Sequence, residues 1–171
     1  MRQSTFARLG AIITAAACIG TCNAQSSGPS GLSVRIGDVF PSSTQASSLS
    51  HNWFSLGADF KLNSLSVSAP GTGLHSYLGI SVDYYAQGGD NDVPVALTYN
   101  VRTGPMVFSA GIGPDFRNAG DLTDTGVGIG EQLAVAYDFG NMPTPIFIEA
   151  KYFFASKPEL SGLGLYAGIR F

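Results

Sequence analysis

Five carboxylates set at alternate positions are the part of this chain best suited to chemistry. Asp59, Asp83, Asp115, Asp138 and Glu149 share one parity of a two-residue rhythm. Carboxylates brought together can share a proton in general acid–base work. Six cations fall on the same parity: Arg35, Lys61, Arg102, Arg117, Lys151 and Arg170. Six basic groups facing five acidic ones favour a network of salt bridges over catalysis. The chain has two histidines, His51 and His75. His75 adjoins Ser76, and neighbours in an extended chain point to opposite faces, so they form no nucleophile–base dyad. Asp90 with Asp92, and Asp121 with Asp124, could attract a cation. Their spacing lacks the ordered oxygen ladder of a calcium loop, so solvated loop tips are expected. No phosphate loop, zinc spacing or dinucleotide fingerprint is present, and no cofactor is expected.

A period of two means strands with one apolar and one polar face. Eight such runs divide the chain: 32–40, 53–62, 76–87, 93–102, 106–117, 127–139, 146–154 and 163–171. Each is near the nine to eleven residues, in round terms, that a tilted strand needs to cross a bilayer. Gly104-Pro105 and the stretch 140–144 read as tight turns, and 63–75 as a longer one. The connectors of the other set, 41–52, 88–92, 118–126 and 156–162, are polar and carry Asp90, Asp92, Asp121, Asp124 and Glu159. No helical period follows residue 25. Two residues break the rhythm. Glu131 falls on the apolar parity of the sixth run, where a β-bulge near Gly130 would return it to the polar face. Asp38 does the same near the end of the first run.

Only 12 % of the 171 residues are charged, and lysine occurs three times, at Lys61, Lys151 and Lys157. Soluble domains carry roughly twice that charge. Arg2 and Arg8 precede an apolar stretch, 9–19, too short to span a bilayer as a helix. The organisation expected is a signal peptide over 1–24, a short linker over 25–31 and one domain over 32–171. Both cysteines, Cys18 and Cys22, fall in the signal, so the exported chain has no disulfide. Ala15-Ala16-Ala17-Cys18 loosely resembles a lipoprotein cleavage box, but lacks the bulky aliphatic residue three positions before the cysteine. Without Arg2 and Arg8 the net charge moves from −3 to −5. That excludes a basic nucleic-acid footprint.

Alternation fits a soluble barrel with apolar residues inside, or a membrane barrel with them outside. Gly37, Gly57, Gly79, Gly111, Gly113, Gly164 and Gly168 share the charged parity. Small residues belong on the crowded interior of a narrow barrel, so the charged row faces inward. The final run closes on Phe171, with Leu163, Leu165, Ala167 and Ile169 at every second position before it. This terminal strand resembles the assembly signal of outer-membrane proteins. Together with the glycine-rich stretches 109–116 and 126–139, the chain resembles the small OmpA- or OmpX-like barrels.

That resemblance implies an all-β, eight-stranded antiparallel up-and-down transmembrane barrel in a bacterial outer membrane. It also implies contact with outer-membrane lipid, and barrel-assembly machinery that reads Leu163, Leu165, Ala167, Ile169 and Phe171. The expected role is structural, adhesive or surface display by a monomer, with the lumen plugged by the salt-bridge network. A narrow porin-like channel is the second reading. A lipid-modifying enzyme is the third, since lipid A deacylases and palmitoyltransferases are eight-stranded and use a serine with a histidine. The deacylase pattern, a histidine two residues before a serine, is missing, which leaves His51 the sole base to consider. A soluble periplasmic binding barrel is the fourth. Trp53, Phe54, Tyr84, Tyr85, Tyr99, Tyr137, Phe139, Tyr152, Phe154 and Phe171 lie near strand ends or on the apolar face, and some of them are expected to form aromatic girdles.

Overall fold

Two glycines show how the alternation folds back on itself. Gly88, at φ 65°, and Gly104, at φ 56°, occupy the left-handed backbone region at two-residue hairpin turns. Glycine takes that conformation without steric penalty. The computed structural model describes residues 31–69, 74–118, 120, 124–140 and 145–171, with backbone alone for 63–69. The expected signal peptide, most of the linker, Cys18 and Asp121 lie outside the described residues.

Eight strands form: β1 (Leu32–Pro41), β2 (Trp53–Ala69), β3 (Leu74–Gln87), β4 (Asp90–Thr103), β5 (Met106–Asn118), β6 (Gly126–Phe139), β7 (Ile146–Phe154) and β8 (Gly162–Arg170). Each pairs antiparallel with its sequence neighbours, and β1 pairs with β8, so the sheet closes into an up-and-down barrel. Closure leaves no free sheet edge between first and last strands. The expected fold class is the observed one.

The hairpins at 69–74, 103–106 and 139–146 mark one end of the barrel, the turn end. The connections at 41–53, 87–90, 118–126 and 154–162 mark the other, the loop end. Three strands differ from expectation. β2 runs on to Ala69, with a register shift between Leu62 and Val67, through residues expected to form a turn. β3 accordingly begins at Leu74. β4 begins at Asp90 because Gly88 and Gly89 complete the turn in two residues.

Two short helical pieces sit at the loop end, although no helical period was expected. Helix α1 (Thr44–Leu49) is capped by Ser43, whose side chain accepts from the Ala46 amide. A 3-10 turn spans Pro158–Leu160. One helical turn is too short to show a period in sequence.

The polarity is inverted relative to a soluble barrel. Leu97, Ile112, Leu133 and Leu165 are each about half exposed on the outside, whereas Arg35 is 3 % exposed and Asp115 is fully buried. Phe40, Phe54, Phe116 and Phe154 ring the outside toward the loop end, and Phe108, Tyr137, Phe139 and Phe171 toward the turn end. Trp53 and Tyr85 do not join them. Both are buried inside, because each has the inward parity of its strand.

Glu131 stays outside. β5 and β6 pair without interruption from Met106↔Tyr137 to Arg117↔Gly126, so no bulge forms near Gly130. Glu131 is exposed between Ile112 and Phe154, close to the loop end of β7. Asp38 is likewise outward, between Phe54 and Leu165.

The interior is crowded enough to require glycine. A Cβ on Gly113 would collide with the Val95 carbonyl oxygen, and one on Gly37 with that of Leu165. Both obstacles are backbone and cannot swing aside. Gly113→Ala should therefore cost about 1–3 kcal/mol, the range for overpacking, read from urea unfolding of the refolded barrel. A neutral result would show that the β4–β5 pair can slide.

Candidate functional site

Parity carries charged side chains from all eight strands into the lumen, where they sort into three groups. The middle group is the most enclosed. Arg35 of β1 sends Nη2 to Asp83 Oδ1 at 2.6 Å and Nε to the same oxygen at 3.1 Å. It also pairs with Asp59, and its Nε lies 3.4 Å from Glu149 Oε1. Lys151 of β7 donates to Asp83 Oδ2 and to Ser81 Oγ, both at 3.1 Å. Ser81 also accepts from Arg35 Nη2 at 3.0 Å. Tyr166 covers the guanidinium, its ring centroid 5.5 Å from the Arg35 carbon. Asp83 thus receives both cations, and neither is left as an isolated charge away from water.

The group at the loop end is more apolar than expected. Val39, Trp53, Tyr85, Phe153 and Tyr166 point inward and pack with Ala46 of α1 and Leu160 of the 3-10 turn. Tyr85 lies 5.1 Å from Phe153 and 6.4 Å from Trp53, centroid to centroid. Its hydroxyl is 2.9 Å from both Asp92 Oδ2 and the Leu160 carbonyl oxygen. Arg117 reaches Asp115 Oδ1 at 3.4 Å and hydrogen-bonds Ser156, whose amide donates to Asp115 Oδ2 at 2.6 Å. These contacts tie the 154–162 connection across the mouth as a lid.

Asp90 and Asp92 correct the sequence expectation. They are not solvated loop tips but buried residues of β4, 1 % and 0 % exposed. The two-residue Gly88–Gly89 turn leaves both inside the strand on its inward parity. The inward charges are therefore six basic against seven acidic among the described residues. They are also graded: acidic at the loop end, basic at the turn end.

At the turn end Arg102 and Arg170 share Asp138, with Arg170 Nε 2.9 Å from Oδ1. The Arg170 guanidinium also lies 4.2 Å from the centroid of the buried Phe147 ring. Lys61 differs from the other ten residues of the expected network. Its ammonium sits 4.8 Å from the Tyr77 ring centroid, and among the described residues it makes no ion pair. Beside it lies a cavity of about 40 Å³, whose lining includes Asp59, Lys61, Tyr77, Asn100, Glu149 and Arg170.

Little here can perform bond chemistry. Ser81 lies next to Lys151, but an ammonium that donates to Asp83 has no lone pair with which to take a serine proton. His51 is exposed at the loop end and His75 at the turn end, on opposite sides of the barrel. Among the described residues no group of three or more histidine, cysteine or acidic side chains could hold a metal ion. The aromatic plug was missed from sequence. Its signal was there in the inward parity of Tyr85, Phe153 and Tyr166, large rings where small residues were expected.

No protein-family model matches the chain, and no curated protein matches its sequence. Solved structures do resemble it. The outer membrane enzyme PagL superposes with a TM-score of 0.50 at 17 % identity, over 81 % of this chain and 96 % of that one. The outer membrane protein Ail of Yersinia pestis gives 0.45 at 12 % identity, over 82 % and 98 %. At such identities the likeness is one of fold alone.

Proposed function

We propose that this chain, which has the fold of the small eight-stranded outer-membrane barrels, spans a bacterial outer membrane as a closed structural or surface-display protein. The inverted polarity carries this reading: half-exposed aliphatic side chains outside, buried charges within. A water-facing surface of that kind would aggregate. A lipid-facing one is what a membrane barrel presents, with aromatic residues at its two margins. Export through the 1–24 segment, and assembly guided by Leu163, Leu165, Ala167, Ile169 and Phe171, belong to the same proposal. These five residues line the outward face of β8 and the terminus beyond it.

The turn end then faces the periplasm and the lid faces outward. The lid, Ser42 to Ser50 with the polar residues after Phe154, is the surface that display would use. Enzymatic activity finds no support in the lumen, since Lys151, the base beside Ser81, is held as an ammonium by Asp83.

Two measurements test the proposal. The protein should fractionate with outer membranes and migrate faster on a gel when unheated than when boiled. Recovery in a soluble periplasmic extract would sink it. In planar bilayers the barrel should show no stepwise conductance, because the Trp53–Tyr85–Phe153 cluster fills the lumen below α1. Discrete current steps would instead favour the channel reading.

A further inference from the structure

We propose that the turn-end vestibule of the lumen binds a small oxyanion of the phosphate type. The inference goes beyond the display role and does not depend on which membrane holds the barrel. Three cations converge on the turn end: Arg102 and Arg170 share Asp138, and Lys61 makes no ion pair among the described residues. Asp59 and Glu149 also line the cavity beside Lys61, but both pair with Arg35, and Glu149 also lies 3.6 Å from Lys151, so their charge is already met by the middle group. The vestibule therefore carries an excess of positive charge in a site walled by protein, where each charge acts more strongly than in water.

The cavity beside Lys61 supplies room and donors. It has about 40 Å³ of space, against roughly 10–15 Å³ for one water counted in the same way. Lys61, Tyr77, Asn100, Ser109 and Arg170 are among the residues that line it, beside the ion-paired Asp59 and Glu149, and one Asn100 amide N–H is already given to Thr98 Oγ1 at 2.9 Å. Ammonium, amide and hydroxyl donors around a small space suit a compact oxyanion better than a planar or apolar ligand. The Tyr77 ring holds the Lys61 ammonium at the cavity. The aromatic plug seals the loop end, so the anion enters and leaves from the turn end. The opposite gradient at the loop end, with Asp90, Asp92 and Asp115 around Arg117, repels anions from that side.

The test is a titration of inorganic phosphate into the refolded full barrel in zwitterionic micelles, at constant ionic strength, followed by backbone amide shifts. Saturable shifts should be confined to Tyr77, Gly79, Asn100 and Ser109. Lys61→Gln should weaken the binding at least tenfold, while Lys157→Gln, which removes a lysine from the loop end, should leave it unchanged. Ser109→Val should abolish binding by filling the space without altering charge, and serves if Lys61→Gln fails to fold. Shifts that never saturate, or that Lys61→Gln and Ser109→Val leave intact, would overturn the proposal. The titration is repeated without phosphate in micelles doped with phosphatidylglycerol. The same shifts there would assign the donors to a lipid headgroup and overturn the free-anion reading.

Discussion

Asp83→Ala should lower the unfolding free energy of the barrel by about 3–5 kcal/mol, the range for breaking a buried ion pair from one side. Net charge is not the reason. The middle group holds Arg35 and Lys151 against Asp59, Asp83 and Glu149, so loss of one carboxylate brings the charges into balance. The cost arises because Asp83, itself 1 % exposed, accepts from Arg35 Nη2 and Nε, Lys151 Nζ and Ser81 Oγ. Removing it strands buried donors that no water replaces. Asp83→Asn keeps one acceptor oxygen and should lose less. Asp59→Ala should lose less again, since the Asp59 side chain is 29 % exposed and its vacated partner can be hydrated. Urea unfolding of the three variants gives the order, and an Asp83→Ala loss below about 1 kcal/mol would show the network to be incidental.

Leu97→Arg should cost about 2–4 kcal/mol if the outside of the barrel is in lipid, the range for arginine at the bilayer midplane. Leu97 lies midway along β4, half exposed, between Ile80 on one side and Ile112 on the other. No polar neighbour is there to receive a guanidinium. Leu165→Arg offers an internal contrast. It is just as exposed, but its cross-strand partner is the outward carboxylate of Asp38. An arginine there gains an ion pair in a poorly hydrated setting and should cost distinctly less. Refolding into bilayers with a denaturant titration measures both. Equal and negligible costs would mean that this face is wet, and with it the membrane assignment would fall.

Faces were legible in the sequence because a period of two assigns each side chain to one side of a strand, whatever its neighbours. That placed Arg35, Asp83 and Lys151 inside, and Leu97 and Leu165 outside. Partners were not legible. Arg35 meets Asp83 two strands away because Arg35 pairs with Gly57 and Gly57 with Asp83, and the absence of a side chain at 57 leaves the two in direct reach. Such a relation depends on register across three strands, which parity does not contain. Asp90 and Asp92 were misplaced for the opposite reason. Acidic residues after a glycine pair look like a loop, yet Gly88–Gly89 closes so tightly that the strand resumes at once. Glu131 shows that one exception to alternation can simply be tolerated. It sits outward near the loop end of the barrel, beside Phe154 of the aromatic margin, where a carboxylate costs less than at mid-depth.

The seam between β1 and β8 sets the tempo of folding. Seven of the eight strand pairs join neighbours in sequence and can form by local zipping. The eighth runs from Ser33↔Arg170 to Pro41↔Gly162 and joins the two extremes of the described chain. Its loop-closure entropy falls due in one late step, after the other ladders are in place. Until then both β1 and β8 present bare hydrogen-bonding edges, and the charges of the middle group face an open trough. Arg35 on β1 finds Glu149 and Tyr166 only when β7 and β8 arrive beside it. The barrel should therefore mature in a slow, nearly all-or-none event timed by its last strand, and lesions in β8 should delay that event more than equal lesions in β4.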